Sequence, residues 1–158
     1  VWRVEGNAQL MIENVATIIL TFSSFLLFVY WFRYACLLIL TAKTTHDYAG
    51  AVATANRLEF PKVQRKLRSQ AIDLDRLKDA LDRDYEVLIY LLKNAANPPT
   101  GEAAIEKRML EVYYRLMRVW YRATSRFSPP TAYRALGEMS IVLAHFANAM
   151  GERVATPP

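Results

Sequence analysis

Residues 16–32 read Ala-Thr-Ile-Ile-Leu-Thr-Phe-Ser-Ser-Phe-Leu-Leu-Phe-Val-Tyr-Trp-Phe, and none of them carries a charge. As a helix this run covers about 26 Å, close to the roughly 30 Å of bilayer hydrocarbon, and apolar character resumes from Tyr34 to Thr41 after Arg33 alone. The pattern predicts one transmembrane helix with an interfacial extension over residues 16–42, preceded by a short non-cytoplasmic N-terminus over 1–15. A cleaved signal peptide competes for such a stretch, but it calls for a basic leader, a shorter apolar core and a small-x-small cleavage site, none of which stands out here.

The run leaves the membrane through Tyr30-Trp31-Phe32-Arg33-Tyr34. Amphipathic rings around a snorkelling guanidinium suit the headgroup level, which makes Tyr30, Trp31, Arg33 and Tyr34 the expected membrane interface. The rival boundary is Lys43. It lengthens the span to about 39 Å, sets Arg33 about 12 Å below the surface if untilted, and requires an acidic or carbonyl contact on a neighbouring subunit. Arg3 is the only basic residue before the span, against Glu5 and Glu13, whereas Lys43, Arg57, Lys62, Arg65, Lys66 and Arg68 follow it. By the positive-inside rule the expected location is the inner (cytoplasmic) membrane, with the N-terminus outside and the remainder in the cytoplasm. The single cysteine, Cys36, lies in the apolar continuation, allows no intrachain disulfide and reads as a buried thiol.

Beyond the anchor, about 115 residues suffice for one small domain. The fold class expected is all-α: one N-terminal transmembrane helix followed by a cytoplasmic antiparallel bundle of three to four helices. Residues 43–70 form a juxtamembrane helical connector. Thr44-Thr45-His46-Asp47 offers caps, small residues Ala49, Gly50, Ala51, Ala53 and Ala55 permit close helix approach, and Pro61 marks a break or a first turn. Lys62-Val-Gln-Arg-Lys-Leu-Arg68 is a basic patch that suits anionic lipid or plain solvation.

The bundle occupies 71–153, with 154–158 as a tail. Leu74, Leu77, Leu81, Tyr85, Leu88 and Leu92 repeat at three- and four-residue steps behind the acidic start Asp73 and Asp75. Asn97-Pro98-Pro99-Thr100-Gly101 closes that helix, and Thr100 is the expected cap of the next, which runs to about Arg126 with Ile105, Met109, Val112, Leu116, Val119 and Ala123 as its apolar seam. Ser128 and Pro129 start a last helix over 130–152, carrying Tyr133, Leu136, Met139, Val142, Leu143, Phe146 and Met150. The short Pro-containing connections imply antiparallel neighbours.

No catalytic constellation accompanies these helices. His46 and His145 lie far apart without metal-ligand spacing, and His145 sits in an apolar stretch as a structural imidazole. Asp73, Asp75, Asp79, Asp82 and Asp84 spread around one helix among Arg76, Lys78 and Arg83, as on an ion-paired face. There is no nucleophile elbow, phosphate loop or dinucleotide turn, so no cofactor, metal or small-molecule substrate is expected.

The third bundle helix carries the strongest surface signal. Arg108, Arg115, Arg118, Arg122 and Arg126 fall within an arc of about 80°, flanked by Tyr114 and Tyr121. Arginine with aromatics is the composition of protein contact surfaces, and these seven residues are the candidate partner contacts. Nucleic acid is disfavoured by Glu106 and Glu111 on the same helix and by the lack of a reading motif.

The expectation is a non-catalytic accessory subunit of a larger membrane complex, respiratory, photosynthetic or transport-related. Its anchor packs on integral membrane subunits through Phe22, Phe25, Phe28 and Tyr30, within a bilayer whose anionic headgroups are a further contact. The alternative is a stand-alone tethered adaptor that recruits a soluble partner through the arginine face. Three features lead here: an anchor without polar pathway residues, a bundle without a site, and a last helix too apolar for a free surface.

Overall fold

Residues 2–41, 47–69, 73–95 and 101–155 are described by the structure, a computed structural model, with side chains from residue 11 onward. Among these residues every regular element is a helix: α1 Trp2–Thr41, α2 Ala49–Ala55, α3 Phe60–Arg68, α4 Leu74–Lys93, α5 Glu102–Thr124 and α6 Pro129–Ala155. Two compact units result, Val1–Leu38 and Ile39–Pro158. The expectations for Lys43, Thr44, Thr45, His46, Pro98, Pro99, Thr100 and the end of the tail fall outside the described residues, and those for Arg3 and Glu5 outside the described side chains.

In the first unit, α1 runs without a break past Arg33, so that boundary is not marked by an end of the helix. Among the described residues it is the one helix long and apolar enough to cross a membrane, over Met11–Thr41. Between Glu13 and Arg33 the charge-free stretch 14–32 measures about 28 Å, close to the hydrocarbon thickness. The Thr17 hydroxyl donates to the Glu13 carbonyl and the Thr21 hydroxyl to the Thr17 carbonyl, each at 2.8 Å, so the helix satisfies these polar groups by itself, as a lipid-facing helix must. Phe22, Phe25, Phe28, Tyr30, Trp31 and Tyr34 are all exposed.

The second unit is organised around α6, which lies against α2, α3, α4 and α5. Its ten buried residues, from Ala132 to Gly151, cover about half of the helix circumference, a broad face shared by four neighbours, while Arg134, Ile141 and Glu152 on the opposite side are exposed. This accounts within the chain for the apolar character of the last helix, which therefore no longer calls for a partner subunit. The alanines among them let backbones approach closely. At Gly151 an added Cβ would fall 2.2 Å from the Tyr48 Cβ, so only glycine admits the chain entering α2.

The connector belongs to this same unit. Ala49 and Ala53 of α2 and Phe60 and Val63 of α3 are buried, and both helices rest on α6. The expected carboxylate cap is present, with the Ala49 N–H donating to Asp47 Oδ1 at 3.2 Å. Pro61 takes a first-turn position in α3. Arg57, in the left-handed region at φ 56°, turns the chain between α2 and α3. The start of α3 is capped from a distance: the N–H groups of Glu59 and Phe60 donate to Asp84 Oδ2 at 2.7 and 2.6 Å. Asp84 projects from the middle of α4 and is only 5% exposed. Burial pushes its carboxyl above the ordinary range, and the two N–H donors pull partly back.

On α4 the expected leucine seam is realised, with Leu77, Leu81, Leu88 and Leu92 buried. Asp73 caps the helix by accepting from the Arg76 N–H at 3.1 Å. On α5 the seam is not the expected one. Leu110, Tyr113, Tyr114, Met117 and Tyr121 are buried, whereas Ile105, Val112, Leu116, Val119 and Trp120 are exposed.

Candidate functional site: the outer face of the fifth helix

The spacing between α4 and α5 explains the rotation of that seam. Among the described residues no Cα of α4 comes within 8 Å of a Cα of α5, so long, flat side chains bridge the two helices. Tyr114 stacks on Tyr85 with ring centroids 4.2 Å apart and planes 4° from parallel. Its hydroxyl donates to Asp82 Oδ1 at 3.1 Å, and the Tyr121 hydroxyl donates to Asp75 Oδ1 at 2.8 Å. On the other side, the Tyr113 hydroxyl donates to Glu138 of α6. Each phenol thus buries its ring while keeping a carboxylate for its hydroxyl. Valine or leucine in these positions would leave Asp75, Asp82 and Glu138 without those donors. Burial raises the phenol pKa of Tyr114 and Tyr121, and the adjacent carboxylates raise it further.

Tyr114 and Tyr121, expected on the exposed contact surface, are therefore core residues, 0% and 2% exposed. Of the expected arginines, Arg118 turns toward α4 and lies 3.8 Å from Asp82, which also binds Lys78 at 3.0 Å. Arg115 is exposed at its helix position but reaches the Tyr85 hydroxyl, whose pKa is raised by burial and drawn back by that guanidinium. Arg108, Arg122 and Arg126 point outward. Arg122 and Arg126 form one wall of an open trough whose other wall is Asp73, Asp75 and Asp79.

The face left outward combines two adjacent sectors. Ile105, Val112, Leu116, Val119 and Trp120 make an aliphatic and aromatic strip, 39–61% exposed, and the arginines run beside it. Phe127, in the turn after α5, is 87% exposed and prolongs the strip. Scattered exposed apolar residues are ordinary, but a continuous strip rimmed by cations has the composition of a contact surface. The sequence signal for it was the match between Tyr114/Tyr121 and Asp82/Asp75. Each pair is one heptad apart, and this assigns the tyrosines to the α4-facing side and the aliphatics to the other.

A second concavity, a cleft of about 360 Å³, lies among the end of α4, the start of α5 and the end of α6. Its lining includes Glu106, Lys107, His145, Glu152 and Arg153. Burial lowers the His145 pKa, against the opposing pull of Glu106 and Glu152. Among the described residues no three His, Cys, Asp or Glu side chains converge to hold a metal ion.

No protein-family model, no curated protein and no solved structure matches this chain.

Proposed function

We propose that this protein is a non-catalytic accessory subunit of a larger membrane assembly. In this reading α1 crosses the cytoplasmic membrane with its N-terminus outside, and the cytoplasmic bundle docks on a partner subunit through the outer face of α5. The observation that carries it is the strip Ile105, Val112, Leu116, Val119 and Trp120, which stays exposed while α6 packs on another side of the helix and the Tyr114 and Tyr121 side chains reach α4. Large side chains of this kind are stabilised by about 1.5–3 kcal/mol each when buried. The pairing of Tyr114 with Asp82 and Tyr121 with Asp75, one heptad rising as the other falls, supports an up-down order for α4 and α5.

The arginines that point outward support the adaptor alternative, in which the same face recruits a soluble acidic partner. Extraction of native membranes in mild detergent, followed by a native gel and mass spectrometry, separates the two. Stoichiometric comigration with an integral complex, lost in Val112→Asp/Val119→Asp while the helical circular dichroism persists, supports the accessory subunit. Migration as a monomer or homo-oligomer overturns it in favour of the adaptor.

A further inference from the structure

On the opposite flank of the bundle, α3 and α4 enclose a groove of about 300 Å³, at the lower end of the size range of small-ligand sites. Lys62 and Lys66, one turn apart on α3, form one wall, and Arg76 and Arg83, two turns apart on α4, form the other. All four are exposed along a floor that includes buried Leu77 and Val63. Glu59 is the one carboxylate in the lining, and it is held by Arg83 at 3.3 Å. Asp84 lies beneath, but its Oδ2 is occupied by the Glu59 and Phe60 N–H groups. The start of α3 is thus already capped, and any anion in the groove is held by side chains.

This balance differs from that around three other cations of the bundle. Lys78 sits between Asp79 and Asp82, Lys107 pairs with Glu111 at 3.5 Å, and Arg118 faces Asp82. The ammonium groups of Lys62 and Lys66 and the guanidinium of Arg76 have no carboxylate within 4 Å among the described residues, and Lys62 and Lys66 repel each other at the unfavourable i, i+4 spacing. We infer that the groove between α3 and α4 binds a phosphate-bearing anion, with Lys62, Lys66 and Arg76 as its donors and Arg83 shared with Glu59. Ammonium and guanidinium groups arriving from two helices match the several oxygens of one phosphate, which accepts short charge-assisted hydrogen bonds from each. The phosphate comes either from a lipid headgroup or from a soluble polyphosphate. Neither source depends on the outer face of α5.

The test uses the full chain in phosphatidylcholine nanodiscs, with and without phosphatidic acid. Retained lipid is counted by native mass spectrometry, and inorganic tripolyphosphate is titrated calorimetrically into the undoped discs. Lys62→Gln/Arg76→Gln is compared with Lys93→Gln/Arg134→Gln, which removes the same charge elsewhere, and Lys66→Gln serves as a second groove variant. We expect the groove variants to weaken binding about tenfold per lost donor, and the distant pair to change it less than about twofold. Groove-dependent retention of phosphatidic acid identifies the lipid source, and groove-dependent tripolyphosphate binding identifies the soluble one. Equal losses in the groove and distant variants, or no binding in either arm, overturn the inference.

Discussion

α1 and α6 are both long apolar helices, yet α1 is exposed at every residue from Met11 to Trp31 and buries only Cys36 beyond it among the described residues, whereas α6 packs against four helices. Their side chains show why similar hydrophobicity has two outcomes. α6 mixes large residues with Ala132, Ala135, Ala147 and Gly151, so neighbouring backbones come close and Leu136, Leu143 and Phe146 fill the gaps. It also carries polar groups with partners in the bundle, Glu138 accepting from Tyr113 and the Ser140 carbonyl accepting from Gln64 at 3.4 Å. α1 instead displays large residues on all sides and returns Thr17 and Thr21 to its own backbone. A helix built to be surrounded by protein needs small residues and foreign hydrogen-bond partners. A helix built for lipid needs neither.

The sharpest way to break this contrast is to truncate a phenylalanine in each helix. Phe146→Ala should cost the bundle about 3–5 kcal/mol in denaturant unfolding, through lost transfer energy and a residual cavity. Phe25→Ala in α1 should leave the same transition within about 0.5 kcal/mol. Comparable losses would mean that α1 is part of the bundle core.

A smaller effect tests the close approach at α6. Gly151→Ala places a methyl group against Tyr48 and should cost about 1–3 kcal/mol by overpacking. Gly50→Ala on α2 meets no atom within 4 Å and should instead stabilise by up to about 1 kcal/mol through helix propensity. Opposite signs for the two thermal midpoints confirm that α6 is the closely packed helix. A neutral Gly151→Ala would show that α2 can withdraw from it.

The smallest effect is electrostatic. Burial depresses the His145 pKa, so the neutral imidazole is favoured on folding, and the stability it contributes is present above the ordinary histidine pKa and is lost as pH falls through the folded value. Unfolding free energy should therefore decline on acidification below about pH 6.5, the usual histidine value, and His145→Gln should flatten that part of the profile. An unchanged slope in the variant would assign the decline to groups other than His145.

Much of the fold was legible in the residues. The long apolar helix declared itself through a charge-free run of membrane length, and α4 because its leucines keep one face and Asp73 caps its start. α5 was misjudged because it has two apolar sides. Reading Ile105, Val112, Leu116 and Val119 as core assumed that aliphatics outrank tyrosines inside. The wide gap between α4 and α5 reverses that preference, since a ring spans the gap and its hydroxyl satisfies Asp75 or Asp82. On the candidate face Arg108, Arg122 and Arg126 are exposed, whereas Tyr114 and Tyr121 exchanged places with the aliphatic strip.

The amino-acid sequence by itself determined the helical class, the single long apolar helix, the breaks at the prolines and the stripe of arginines. These follow from local periodicity, capping and charge, which act over a few residues. Only the tertiary structure decided that α6 packs against four helices, that the connector helices belong to the bundle, that Asp84 caps α3 from another helix, and that four cations share one groove with a single carboxylate. Each of these depends on how far apart two helices lie and how they are rotated, and that is set by the packing of the whole domain rather than by any one segment.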